Sequence, residues 1–304
     1  MDPRPDRIDQ IRLYNRRTQA IETEQVPAGR LLGYLYSRTW GRRACDAVWS
    51  RIWFSRLYGW PFHRNFSRRQ IEGFIRQNAI DMAEVALPEG GFASFNDFFT
   101  RRLKPGARPI DEALSAVISP ADSRLKVFPI KNGSVLKIKG ADLTLSQLLG
   151  TTAAPEGFDD GLCLQFRLAP CDYHRFGYIS DGIQGPIHEV MGRLYSVSPL
   201  ALGHMPDIWW RNLRHWCFVQ SLALGTILQI EVGATVVGSI VQQRPAGGAC
   251  RRGQEKGYFQ MGGSTVLIVV QSGKVAVDSD ILHYSEKGIE TLVKYGETIG
   301  RTLH

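Results

Sequence analysis

Glu255-Lys256-Gly257-Tyr258-Phe259-Gln260-Met261-Gly262-Gly263-Ser264-Thr265 runs directly into the apolar residues 266–270. A short apolar run bounded by glycines reads as a buried strand. A Gly-Gly pair ahead of a strand is ordinarily a turn, and the serine after it a solvated hydroxyl. The same residues also suit an internal attack on the backbone, because glycines permit the strained, close approach that a serine hydroxyl needs to reach the preceding carbonyl. The tetrapeptide alone does not separate these readings.

Working outward, short strand patterns recur at residues 124–128, 134–138, 162–168, 187–195, 226–232, 236–242, 265–270 and 274–277, separated by Gly, Pro, Asn and Asp. Only short helices such as 143–149 interrupt them. Without regular βα alternation, the pattern predicts an α+β fold rather than a doubly wound sheet. Up to about residue 115 the periodicity is helical. Ser67 with Gln70 predicts a capping box ahead of Ile71, Phe74 and Ile75. Ser94 with Asp97 predicts a second helix start, burying Phe95, Phe98, Phe99 and Leu103 until Lys104-Pro105-Gly106 stops it. The expected division is a helical segment over 1–115 packed on a β-rich domain over 116–304.

The chain of 304 residues carries a formal charge of +8, concentrated between Trp40 and Arg76, where eight arginines face only Asp46 and Glu72. Cys45, Trp49, Trp53 and Leu57 share one helical face beside Val48 and Ile52, flanked by Arg42, Arg43, Arg51 and Arg56. Such a stretch suits the interface of an anionic bilayer; equally, it suits a core-packing helix with a solvated arginine face. No nucleic-acid recognition motif accompanies the charge. The N-terminus lacks the apolar core of a signal peptide, and no stretch reaches the ~20 apolar residues of a membrane span, so a soluble or peripheral protein on the cytoplasmic side is expected. Five scattered cysteines show no metal-ligand spacing, which predicts free thiols and no metal.

Further motifs accompany the Gly-Gly-Ser-Thr site: the whole segment from Phe95-Asn96-Asp97-Phe98-Phe99-Thr100-Arg101-Arg102 through Leu103-Lys104-Pro105-Gly106-Ala107-Arg108-Pro109-Ile110; Ser119-Pro120-Ala121-Asp122; and Asp172-Tyr173-His174-Arg175-Phe176. With them go residues 21–30, Tyr195-Ser196-Val197-Ser198-Pro199 and residues 232–238. In this order, over most of the chain, they resemble the pyruvoyl-dependent phosphatidylserine decarboxylases. The resemblance implies conversion of phosphatidylserine to phosphatidylethanolamine and CO₂. It also implies a self-cleaving precursor whose Ser264 hydroxyl attacks the Gly263 carbonyl. The resulting ester eliminates to dehydroalanine, which hydrolyses to a pyruvoyl group and ammonia. The products are a β fragment ending at Gly263 and an α fragment beginning at position 264. The pyruvoyl group is the electron sink that decarboxylation requires. The family's aspartate matches Asp122 and its decarboxylation-site histidine matches His174. A homodimer is a candidate assembly.

One departure bears on the cut. The family pattern continues to a second histidine, the base for self-cleavage, and here that position is Gly177. His174 or His215 would have to replace it. Ser123, Ser198, Trp209, Trp210 and Trp216 also depart from common forms, or add aromatic bulk, in ways that could reshape a pocket. Two alternatives therefore stand beside the main reading: the same chemistry on a soluble amino acid or modified amine, and a non-processing relative that binds lipid or a partner.

Overall fold

Ser264–Val270 is buried at every position and forms the middle of a large sheet in the computed structural model, which describes residues 10–25, 29–131, 135–138, 141–234, 240–262 and 264–303. Val266, Ile268 and Val270 face one core cluster, Leu267 and Val269 the other. A strand covered on both faces needs a continuous apolar run, and each such side chain contributes roughly 1.5–3 kcal/mol on burial. Its antiparallel neighbours are Gly225–Gly233 and Leu162–Leu168, with Ser264 opposite Gly233 on one side and Leu168 on the other. Beyond Leu162–Leu168 lie Ser123–Lys131, then Glu290–Val293. Many strands with few helices make the fold α+β.

The chain start departs from the helical expectation. Gln10–Asn15 and Ala20–Gln25 form a hairpin, and its first strand adds in parallel to Glu290–Val293. Among the described side chains there, only Leu13 and Asn15 are buried, so the residues carry little periodicity; the sheet edge and two buried arginines decide the conformation. Glu24 accepts hydrogen bonds from Arg124 Nε (2.9 Å) and Arg167 Nη2 (2.9 Å). Burial would raise the Glu24 carboxyl, but Arg167 and Arg124 hold it down at about 2.

Helices cover one face. Tyr36 and Cys45 join Leu145, Leu148, Ala201 and Trp209 in the first cluster. The expected helical face from Cys45 to Leu57 is broken in two. Cys45–Trp49 is a π-helix, with Ser50 N bonded to Cys45 O at 2.9 Å, and an α-helix resumes at Ile52–Gly59. The wider turn rotates the helix after it, so Cys45 stays buried and Trp49 packs on the core, while Trp53 and Leu57 are exposed.

Ser94 caps Phe95–Phe99 through Asp97 N, as its pattern predicts, although the helix ends at Phe99. Ser67 is no cap; its hydroxyl bonds to Arg64 O and accepts from Phe95 N, tying the two helical layers together. The 187–195 pattern yields only His188–Val190. Of the 236–242 pattern Ile240–Gln242 is a strand, and residues 236–239 lie outside the described residues. A third cluster, Phe92, Phe95, Phe98 and Phe99 with Ile71 and Val85, has Phe62, Phe74 and Met261 packed against it, and so joins the N-terminal helices to the loop before Ser264.

Candidate active site

Two strand pairings pin the segment that carries His174. Leu168 lies opposite Ser264, and Arg175 lies opposite Tyr258, so residues 169–174 fold back along the loop between Phe259 and Ser264. Phe259 N donates to His174 O at 2.9 Å. His174 Nδ1 stands 3.4 Å from Ser264 Oγ, and both residues are fully buried. The imidazole stacks on Phe99 with ring centroids 3.9 Å apart. Burial first, then the Arg101 charge, push its pKa down to about 3, against support from the backbone of Pro170 and Ala169. The ring is therefore neutral at ordinary pH. His174 Nε2 and Thr265 Oγ1 are buried without hydrogen-bond partners.

On the other side of the cut, Asn96 Oδ1 accepts from Met261 N at 3.0 Å, and Gly262 adopts φ +135°, which favours glycine. Gly263 lies outside the described residues. A cavity of about 530 Å³ opens beside this loop, lined by Gly262, Met261, Phe99, Phe95, Phe74 and Tyr58 among others. Two hollows of similar size, beside Arg211 and beside Leu222, include none of these residues.

Asp122 is held differently. Arg108 closes on it with Nε to Oδ1 at 2.8 Å and Nη2 to Oδ2 at 2.6 Å, while Tyr295 N donates to Oδ1 at 2.8 Å. Glu84 accepts from Arg108 Nη1 at 2.8 Å. Among the described residues Asp122 has no hydrogen bond to a histidine.

Gly177 shows why. A Cβ built there would lie 2.0 Å from Tyr295 Oη and 2.6 Å from Gln254 O, so the room a second histidine would need belongs to the tyrosine and to backbone. Nor does His215 approach Ser264. It pairs with Glu231, which pairs with Val266, placing it two strand spacings, about 10 Å, from the Ser264 strand. It stands instead beside Gln242 (3.5 Å) and Glu189 (3.8 Å), near the fully buried Lys256–Glu231 pair.

The other departures lie outside the cavity. Trp209 packs on Phe128, Trp216 stacks on His188 and donates to Leu149 O, and the Ser198 hydroxyl caps a short helix. Sequence reading missed three individual contributors: Asn96, Phe99 and Arg101 sit inside a recognised motif whose separate roles only contacts reveal. Tyr295 carried no sequence signal at all.

Around the helices, Trp53, Leu57, Trp60 and Phe66 are exposed, as is Arg43, whereas Arg42 donates to Tyr36 O at 3.0 Å. The Arg56 side chain lies outside the described residues. Among those residues no helix is long and apolar enough to cross a membrane, no cluster of metal ligands occurs, and all five cysteines are free.

The phosphatidylserine decarboxylase family model matches residues 95–301. The phosphatidylserine decarboxylase proenzyme of Clostridium tetani is 40% identical over 292 residues, covering 96% of this chain and 98% of that protein. That of Clostridium botulinum is 38% identical over 294 residues, with 96% and 99% covered. That of Desulfitobacterium hafniense is 38% identical over 291 residues, with 95% and 98% covered.

Proposed function

The chain belongs to the phosphatidylserine decarboxylase family, and on that premise we propose that it converts phosphatidylserine to phosphatidylethanolamine and CO₂ after cutting itself between Gly263 and Ser264. The contact between Ser264 Oγ and His174 Nδ1, beside an aromatic-lined cavity, carries this reading. The family is pyruvoyl-dependent. Formed at position 264, a pyruvoyl carbonyl supplies the electron sink for the leaving carboxylate. The residues present suit it: His174, whose Nδ1 meets Ser264 Oγ, leaves Nε2 as a buried polar atom without a hydrogen-bond partner.

In maturation His174 accepts the Ser264 proton as the hydroxyl attacks the preceding carbonyl. Its neutral ring has a free lone pair at ordinary pH, but burial makes it a weak base, and among the described residues no carboxylate bonds to it. Self-cleavage is therefore slower than in a site whose histidine is braced by an aspartate. In turnover the same imidazole would stand next to position 264, placed to take up the proton that the substrate ammonium gives up on binding and to return it to the carbon that has lost CO₂. Phe99 holds the ring in plane, and Asn96 fixes the loop at Met261. Asp122 positions the segment through Arg108 and Tyr295 N.

The cavity argues for a lipid over a free amino acid. Five aromatic rings, Pro170 and Met261 make most of its wall apolar, and its Tyr58 and Phe62 belong to the same helical layer as exposed Trp53, Leu57 and Trp60. An interfacial enzyme needs that continuity between surface and site. Denaturing mass spectrometry tests the reading. Wild-type protein should give fragments 1–263 and 264–304, the latter carrying a hydroxylamine-reactive carbonyl, and Ser264→Ala should give one intact chain. A wild-type chain that never parts would overturn it in favour of a binding relative. Cleaved protein that turns over serine but not phosphatidylserine vesicles would move the substrate to a soluble amino acid.

A further inference from the structure

Arg101 follows the Phe95–Phe99 helix and is 5% exposed. Its Nη2 donates to Cys171 O (3.2 Å) and Asp172 O (3.1 Å), and its guanidinium lies 5.0 Å over the Phe98 ring. Nε and Nη1 have no partner, which leaves three N–H bonds unused. Nearby buried arginines are satisfied otherwise: Arg108 closes on Asp122, Arg124 on Asp172, and Arg175 on Glu255. Leaving donors of a buried cation unpaired is costly, and a fold that retains such an arrangement reserves it for something that arrives. The position says where. Arg101 is not itself among the residues lining the cavity, and the Asp122 and Asp172 carboxylates act on its charge, but it stands directly behind the cavity wall: Phe99, two residues before it, stacks on His174; Cys171 and Asp172, whose carbonyls hold the guanidinium, lie between His174 and Pro170; and Phe99 and Pro170 both line the cavity.

We propose that Arg101 is the anion anchor of the site and binds the phosphodiester of the substrate headgroup through Nε and Nη1. The inference rests on the decarboxylase reading. Two anionic groups flank the serine carbon of phosphatidylserine, and energetics choose between them. A guanidinium gripping the carboxylate would stabilise the ground state, whose charge the reaction removes, and so would raise the barrier. Gripping the phosphodiester, which does not react, supplies binding energy that orients the carboxylate without stabilising it. Arg101 then determines specificity: it distinguishes serine carried on a phosphodiester from free serine, because without the phosphate its donors stay unpaired.

Water-soluble headgroups test this apart from the membrane. With mature wild-type enzyme, glycerophosphoserine should be preferred over serine in kcat/KM, and glycerophosphoethanolamine, which has the phosphodiester and no carboxylate, should inhibit far better than ethanolamine. In Arg101→Gln both preferences should shrink by about 10²-fold or more, with Arg101→Lys between. Equal losses on glycerophosphoserine and serine, or unchanged preferences, would overturn the anchor. Inorganic phosphate competing as well as glycerophosphoethanolamine would also overturn it, by making the site one for free phosphate. If Arg101→Gln does not fold, the wild-type preferences decide alone, and their absence sinks the proposal. Calorimetric binding of glycerophosphoethanolamine to the Ser264→Ala chain, with and without Arg101→Lys, separates the two readings. Arg101-dependent binding in a protein whose wild type decarboxylates nothing keeps the anchor and removes the activity; turnover without such binding does the reverse.

Discussion

Two polar clusters lie at the same end of the central sheet, separated by the Leu162–Leu168 strand, and they are satisfied to opposite degrees. Both oxygens of Asp122 are taken, by Arg108 and by Tyr295 N, and Glu84 occupies a further donor of Arg108. Around Ser264 the one side-chain hydrogen bond among the described residues is at 3.4 Å to His174, while His174 Nε2 and two nitrogens of Arg101 are buried and unpaired. Closed networks of charge-assisted bonds hold structure; open ones cost stability and are kept where chemistry or a ligand completes them. The difference teaches that the aspartate and the histidine singled out by the same motifs need not share one job.

The largest expected effect falls on the open cluster. Replacing His174 by Gln should slow appearance of the 264–304 fragment by about 10²–10⁴-fold, followed over time on denaturing gels. Because burial and Arg101 keep the imidazole neutral down to about pH 3, wild-type cleavage should be level from pH 5 to 8. A rate that falls below a midpoint near 6.5 would place the base on an ordinary solvated histidine and break the assignment.

The closed cluster should answer in stability instead. Arg108→Leu strands a buried carboxylate and should cost about 3–5 kcal/mol in urea unfolding, measured in the Ser264→Ala background so that one species unfolds. Asp122→Asn should cost less, since a neutral side chain is left. If Asp122→Asn instead stops cleavage at undiminished stability, the two clusters act as one catalytic unit.

The smallest effects belong to the surface that would bring the site to its lipid. Arg43→Gln with Arg51→Gln should weaken flotation with anionic liposomes by about 1 kcal/mol per charge, an effect that 0.5 M salt, roughly, should erase. Fragment formation should be unaltered. Binding insensitive to both changes and to salt would assign the exposed arginines to solubility alone.

The sequence by itself determined the buried strand at 265–270, the Ser94 helix start and the family motifs. Each of these is written in neighbouring residues, as an apolar run, a capping oxygen three residues ahead of its N–H, or a contiguous string. It also showed that position 177 lacks an imidazole. Only the tertiary structure decided what stands in its place, because Tyr295 is far away in the chain and meets Gly177 through sheet packing. The same holds for Asp122 falling to Arg108 and Tyr295, for the hairpin held by Glu24, and for Trp49 turning inward while Trp53 turns out across a π-turn. Local periodicity says which residues need a buried face or a partner. Which distant side chain supplies it, and which donor is left empty as Arg101's are, depends on register and on packing summed over the whole sheet.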